Sequence, residues 1–262
     1  MSDDEYTPSE LMAIVLSREL VDGETGEMGA YSQIPMAACK LARLTHAPNL
    51  NWWCSASSYL NPTGPLYESS TDYRNITGAE AVLHMNEAFF YAIPHYDFFF
   101  WGGIQIDPYG NSNLTSIGDY KKPKFRGPGC AALPTVSALP IKLFAYMNDH
   151  KPYTMVEKLD FLTGVGHYYG GDSKTKAGIP EGVGPVLVIT PIAVMDFDEE
   201  TKRMRLKSYH PGITPGEVQK NTGFKLIMPD NISETIPPTK EELNILRNEI
   251  DCFGILRKMK KV

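Results

Sequence analysis

Apolar positions along the chain repeat with two periods, and each period marks a kind of element. Thr7-Pro8-Ser9-Glu10 reads as a helix-capping box with proline at the first helical position, and Leu11, Ile14 and Val15 follow on one face. Asp22 to Tyr31, rich in Gly and Glu, reads as a loop or a weak strand. Pro35 to Leu44 reads as a second helix, stopped by His46-Ala47-Pro48-Asn49. Leu50 to Cys54 is a short apolar and aromatic run that suits a buried strand. Ala79 to Ala92 reads as a further helix, and Tyr96 to Trp101 as a strand ending abruptly at Gly102-Gly103. Val186 to Ile189 and Val194 to Phe197 read as strands. Asp198 to Thr201 then turns the chain back through Met204, Leu206 and Tyr209, with apolar and polar residues alternating. Capping boxes recur from Thr214 to Glu217 and from Thr239 to Glu242, the second opening a helix with Leu243, Leu246 and Ile250 on one side. Strands alternating with helices predict an α/β fold with an open, mainly parallel sheet flanked by helices. No linker-like change of composition interrupts it, so residues 1–262 read as one domain.

Composition narrows the function more than the fold. The 262 residues are 42% hydrophobic and 21% charged with a net charge of −6, the balance of a globular chain with a sizeable core. Such a chain lacks the basic footprint of a nucleic-acid binder. The acidic start MSDDEYTPSE lacks the basic and apolar regions of a signal peptide, and no stretch is long and apolar enough for a membrane span. The expectation is a cytoplasmic protein without a membrane partner. Cys39, Cys54, Cys130 and Cys252 are too scattered for a disulfide framework or a zinc site, and no metal site is expected. The dinucleotide, P-loop, nucleophile-elbow and HExxH patterns are absent. The histidines read as structural or solvated.

What remains is a Gly-rich polar strip from Gly102 to Thr115, directly after an apolar strand. In an open α/β sheet, ligands bind beyond the carboxyl ends of strands. Glycines there let a ligand approach backbone N–H groups, while Asn and Asp side chains fix turns or bind polar groups. On composition the strip reads equally as a binding loop or as a well-turned surface loop. The stretch continues to Ala132 through the basic cluster Lys121, Lys122, Lys124 and Arg126, and loops of such length within a compact domain are usually functional.

The strip GGIQIDPYGNSNLTSIGDY, Gly102 to Tyr120, resembles the signature GGAQIDxYGNxNxTxxGD of the beta subunits of family I CoA-transferases, the smaller subunit of the glutaconate type. Gly127-Pro128-Gly129-Cys130-Ala131-Ala132 is similar to that family's GxGGA loop, with Cys130 standing where the family has glycine. Lys40-Leu41-Ala42-Arg43 with His46-Ala47-Pro48, then Val183-Gly184-Pro185, and Asn221-Thr222-Gly223-Phe224, extend the resemblance over most of the chain. Gly164 to Tyr168 and Tyr209 to Val218 are more similar to a hydrolase of the same family that opens a steroid ring as a CoA thioester. The resemblance implies an open α/β beta-type chain that pairs with a homologous CoA-transferase alpha subunit, as α2β2 or a larger assembly. It implies an acyl-CoA substrate, with coenzyme A entering as part of that substrate and no tightly bound cofactor.

The resemblance also implies a nucleophilic glutamate on the strand after the Ala-Pro turn, and this chain lacks it. Counted without gaps from Ala47-Pro48, that position is Ser55, with Cys54 beside it; no acidic residue occurs from Leu50 to Tyr67, and Glu68 is the first. A transferase carboxylate carries CoA as a glutamyl thioester, which conserves the thioester's energy; a serine ester does not. The implied function is therefore an acyl-CoA hydrolase or a C–C-cleaving or decarboxylating enzyme. The alternatives are a transferase using another carboxylate, such as Glu68 or one on the partner, and a non-catalytic partner subunit. The implied catalytic residues are Ser55 and Cys54. Substrate would meet Gly102, Gly103, Gln105, Asp107, Asn111, Asn113, Gly127, Gly129, Cys130 and Ala131, with backbone N–H groups stabilising a thioester or enolate oxygen and the basic cluster meeting CoA phosphates.

Overall fold

The computed structural model describes residues 5–54, 59–87, 95–180, 182 and 184–259. They fall into two compact units, one within Met1–Phe100 and Ile236–Val262, the other within Trp101–Thr235.

In the first unit the strands are β1 (Thr25–Met28), β2 (Asn51–Cys54), β3 (Tyr59–Leu60), β4 (Ala81–Val82) and β5 (Phe98–Trp101). Their order is β5-β1-β2-β3-β4, parallel from β5 to β2 and antiparallel from β2 to β4. The β1 and β2 strands are joined through the helix Gln33–Leu44, which is buried from Gln33 to Ala42. The helix Pro8–Arg18 packs against it, with the predicted capping box in place: Glu10 N–H donates to Thr7 Oγ1 at 3.3 Å, and Thr7 N–H donates to Glu10 Oε2 at 2.8 Å. The same device opens the helix Lys240–Ile245, where Arg18 also grips the Glu242 carboxylate at 2.6 and 2.7 Å. Every residue of β5 is buried, as expected for a strand covered on both faces.

The expected helix over Ala79 to Ala92 is not found where that stretch is described. Ala81-Val82 instead pairs with β3, and only Met85–Glu87 makes a helical turn; residues 88–94 lie outside the described ones. Ladder bonds to β3 satisfy this backbone, so tertiary pairing overrides a local helical pattern.

The second unit contains β6 (Gln105–Ile106), β7 (Ser112–Asn113), β8 (Ser116–Ile117), β9 (Phe125–Arg126), β10 (Lys142–Tyr146), β11 (Gly184–Ile189), β12 (Ala193–Phe197), β13 (Met204–Tyr209) and β14 (Ser233–Glu234). The order β14-β13-β12-β11-β10 joins β10 to β11 and β13 to β14 in parallel and the rest antiparallel. The predicted turn at Asp198 to Thr201 closes the β12–β13 hairpin, with Thr201 N–H donating to Asp198 Oδ1 at 2.8 Å. Two small antiparallel pairs, β6–β7 and β8–β9, carry the Gly-rich strip. The molecule is thus α/β, with a large mixed sheet, parallel in its inner ladders and flanked by helices. No helix among the described residues is long and apolar enough to cross a membrane.

Candidate active site

The Gly-rich strip folds into a hairpin because its polar side chains bind its own backbone. Asp107 ends β6 and accepts from Tyr109 N–H at 2.9 Å, Asn111 N–H at 3.0 Å and the Asn111 amide at 2.7 Å. Burial pushes this carboxyl up to about 6, against the pull of those three hydrogen bonds. Asn111 Oδ1 accepts from Gly166 N–H at 2.8 Å and Tyr168 N–H at 3.1 Å, while its amide also donates to the Tyr168 carbonyl at 2.6 Å. Asn113 is as fully engaged: its amide donates to Gln105 Oε1 at 2.8 Å and the Ser116 carbonyl at 2.7 Å, and its Oδ1 accepts from Thr115 and Ser116 N–H. Gln105 in turn donates to Asp160 Oδ2 at 3.0 Å. Of the two roles expected for Gln105, Asn111 and Asn113, the structure fills the one that shapes the loop. Their side chains are buried and their hydrogen-bonding capacity is taken up.

What these side chains hold in place is backbone. Gly102 and Gly103 are half-buried, and the Gly102 carbonyl accepts from Ser112 Oγ at 3.1 Å. Gly127 passes so close to the hairpin that a Cβ would stand 2.2 Å from the Leu114 carbonyl oxygen, so only glycine fits there. Gly129 then turns through a φ of 97° and Ala131 through 41°, leaving Cys130 and Ala131 exposed at the head of the helix Leu133–Ser137. A second strand of chain clamps the hairpin from Thr154 to Tyr168. There a Cβ on Gly166 would lie 2.5 Å from the Gly110 backbone, and His167 N–H donates to the Tyr109 carbonyl at 2.8 Å. Within the second unit the structure therefore gathers Gly102, Gly103, Gly127, Gly129, Cys130 and Ala131 on one preorganised framework. Asp160, Thr163 and Gly166, which complete it, carry no signal of their own in the sequence.

The two expected catalytic residues lie in the first unit and fare differently. Cys54 ends β2, is fully buried, and donates from Sγ to the Ser70 carbonyl at 3.3 Å. It shares its side of the strand with Trp52, against the helix Gln33–Leu44. The neighbouring helix thiol, Cys39, is pushed up by burial and by Cys54. Lys40, from the same helix, donates to the Pro62 and Gly64 carbonyls, both at 2.6 Å, and lies 5.5 Å from the Trp52 ring. Burial lowers this ammonium to about 8. Cys54 is thus a small buried side chain in a sealed layer, not one open to a reacting carbon. Ser55 falls outside the described residues. Glu68, the first acid beyond it, is exposed and stands 3.6 Å from the Arg74 guanidinium.

Comparison with known proteins decides the family. The family model described as Coenzyme A transferase matches residues 90–221, which include the whole hairpin framework. The chain belongs to the coenzyme A transferase family. It is 33% identical over 252 residues, 92% of each chain, to the smaller of the two chain types of 3-oxoadipate CoA-transferase from Pseudomonas knackmussii. It is also 26% identical over 247 residues, 94% of this chain and 95% of the other, to the cholesterol ring-cleaving hydrolase IpdB subunit of Mycobacterium tuberculosis. Among solved structures, glutaconate coenzyme A-transferase from Acidaminococcus fermentans superposes with a TM-score of 0.88 at 29% identity over 99% of both chains.

Within this CoA-transferase chain the basic cluster sits on the exposed β8–β9 hairpin. Arg126 donates to the Tyr120 carbonyl at 2.8 Å and covers the Tyr120 ring at 4.8 Å, and Phe161 stacks on that ring at 5.2 Å. Lys121 and Lys122 are exposed beside this aromatic stack, and Lys124 is exposed at its far end. Among the described residues no group of three or more His, Cys, Asp or Glu is placed to hold a metal ion.

Proposed function

We propose that this chain is the beta-type subunit of a heteromeric, cytoplasmic enzyme that cleaves an acyl-CoA by hydrolysis or C–C bond breaking, without passing CoA to an acceptor acid. The observation that carries this reading is the missing carboxylate: Ser55 occupies the glutamate position, and no acid occurs between Leu50 and Tyr67. Without a carboxylate, the glutamyl-CoA thioester that stores the bond's energy has no place to form. The hairpin framework supports the remainder of the chemistry. Its backbone N–H groups around Gly102-Gly103 and Gly127 to Ala131 serve as donors to a thioester or enolate oxygen, held rigid by Asn111 and Asn113. The substrate brings its own coenzyme A. The likeness to chains of two-component enzymes supports a homologous alpha subunit as partner, in an α2β2 or larger assembly.

A second reading has its own support, the 33% identity to a 3-oxoadipate CoA-transferase chain. It needs a carboxylate from the partner or from Glu68, whose exposure beside Arg74 argues against a buried nucleophile. The complex of this chain with its alpha-type partner separates the two. It is incubated with dicarboxylic and β-keto acyl-CoAs, with and without acetate, in ¹⁸O-labelled water, and CoA species are followed by mass spectrometry. Acetate-independent loss of substrate with ¹⁸O uptake or CO₂ release is the expected result; acetyl-CoA formed only with acetate would overturn it.

A further inference from the structure

Strand β1 carries a carboxylic acid where an interior parallel strand ordinarily carries an aliphatic side chain. Glu27 is in register with Trp53 of β2 on one side and Phe99 of β5 on the other. The opposite face of these strands, with Gly26, Trp52, Cys54 and Phe98, is closed against the helix Gln33–Leu44. The face of Glu27 is the more open one, since Glu27 and Trp53 are only half-buried. In the sequence Trp53 stands two residues before Ser55.

No cation answers this carboxyl. Among the described residues Glu27 forms no ion pair, and the titratable group facing it is Tyr96, whose hydroxyl is shielded from water and has no better partner. An ionised carboxylate between two aromatic side chains would stand largely uncompensated, so the acid keeps its proton. Burial pushes it up to about 8, while the Tyr96 hydroxyl pulls the other way. A group that is protonated at neutral pH and releases its proton just above it is matched to general acid catalysis.

We infer that Glu27 is a further catalytic residue, the carboxylic acid that protonates the carbon freed when the acyl-CoA is cleaved. The inference rests on the hydrolytic reading above. A base takes one proton from water, and the hydroxide oxygen adds to the β-carbonyl carbon of the substrate. The bond from that carbon to the carbon beside the thioester breaks, and its electron pair stays on the latter as an enolate. Glu27 gives this carbon a proton, so a shorter acyl-CoA and a carboxylic acid result. The proton taken from water returns Glu27 to its acid form, and one water is consumed.

The test uses the assembled complex with wild-type chain, Glu27→Gln, Glu27→Asp and Tyr96→Phe. Infrared difference spectra of wild type against Glu27→Gln, followed from about pH 6 to about pH 10, are expected to contain a protonated-carboxyl band that fades near pH 8. With a β-keto acyl-CoA, wild-type kcat/KM is expected to fall above that pH. Glu27→Gln should lower kcat ~100-fold and remove this limb while the complex stays assembled. Glu27→Asp should recover part of the rate, and Tyr96→Phe should keep activity with the limb displaced upward. Cleavage that Glu27→Gln leaves unchanged overturns the catalytic role alone, as does a carboxyl already ionised at neutral pH. A complex with the infrared band but no cleavage overturns the hydrolytic reading and the role together. A CoA thioester mapped to Glu27 would make it a nucleophile and the enzyme a transferase, which also overturns both.

Discussion

Asn111 illustrates how a side chain in a family signature can act through the backbone alone. Its four hydrogen bonds tie Asp107, Gly166 and Tyr168 together, and the residue is 3% exposed. Asn111→Ala leaves two N–H donors and a carbonyl without partners in a buried place, at about 1–3 kcal/mol for each group. The expected result is a loss of about 3 kcal/mol or more in urea denaturation of the assembled complex. Cys54 gives the contrasting case. Its thiol makes one long hydrogen bond in a sealed layer, so Cys54→Ala should lower stability by about 1–2 kcal/mol and leave kcat unaltered. Ser55→Ala should instead lower turnover without destabilising the fold. Equal kinetic losses in the two variants would show that the layer around Cys54 opens to substrate.

Elements whose signals are local are legible in the sequence. The three capping boxes are present as predicted, because each needs only residues three apart. The β12–β13 hairpin follows from its turn and its alternation. Strand β1 reads only as a loop or weak strand, since Thr25–Met28 lacks an apolar pattern and is held by parallel neighbours distant in sequence. The hairpin framework is legible as a motif, but the clamp from Asp160 to Gly166 is not, because its contacts reach across 40 residues or more. The histidines behave as the composition suggests. His150 donates from Nε2 to Thr222 Oγ1 at 2.9 Å, which leaves Nδ1 to accept from Thr190 Oγ1 at 2.8 Å. His210 donates from Nε2 to the Thr190 carbonyl at 2.9 Å and meets Thr235 Oγ1 at 3.0 Å. Burial lowers both to about 4, and it does the same to His167. Unfolding therefore takes up protons between about pH 6.5 and about pH 4. The stability these histidines contribute is full above about 6.5 and is lost as pH falls through that window, on the order of 3 kcal/mol for each fully buried ring. Glu27 and Asp107, pushed up to about 8 and about 6, act in the opposite sense and offset part of this slope. Urea melts should give lower stability at about pH 5 than at about pH 7. Imidazole NMR titrations of the folded chain with midpoints near 6.5 would contradict this account.

At the scale of the whole molecule, two likenesses point to different chemistry on one scaffold. The chain is similar over nearly its full length both to a CoA-transferase chain and to a ring-cleaving hydrolase chain. A framework shared at that level supplies oxyanion donors and a place for a thioester to either reaction. Reaction class then turns on whether a carboxylate is present to hold CoA. Ser55→Glu in the assembled complex tests this dependence directly. A carboxylate at that position attacks the acyl thioester to give a mixed anhydride, and the released CoA thiolate attacks the anhydride to give the enzyme-bound glutamyl thioester. Acetate then accepts CoA from it, so no thioester bond is lost to water. The variant should therefore form acetyl-CoA in an acetate-dependent manner, with a CoA adduct on the peptide that carries residue 55, and should hydrolyse less substrate than the wild type. Acetate-dependent transfer already present in the wild type would place the working carboxylate elsewhere. A variant that binds acyl-CoA yet forms no adduct would mean that the framework itself, and not a missing side chain, has moved away from transfer.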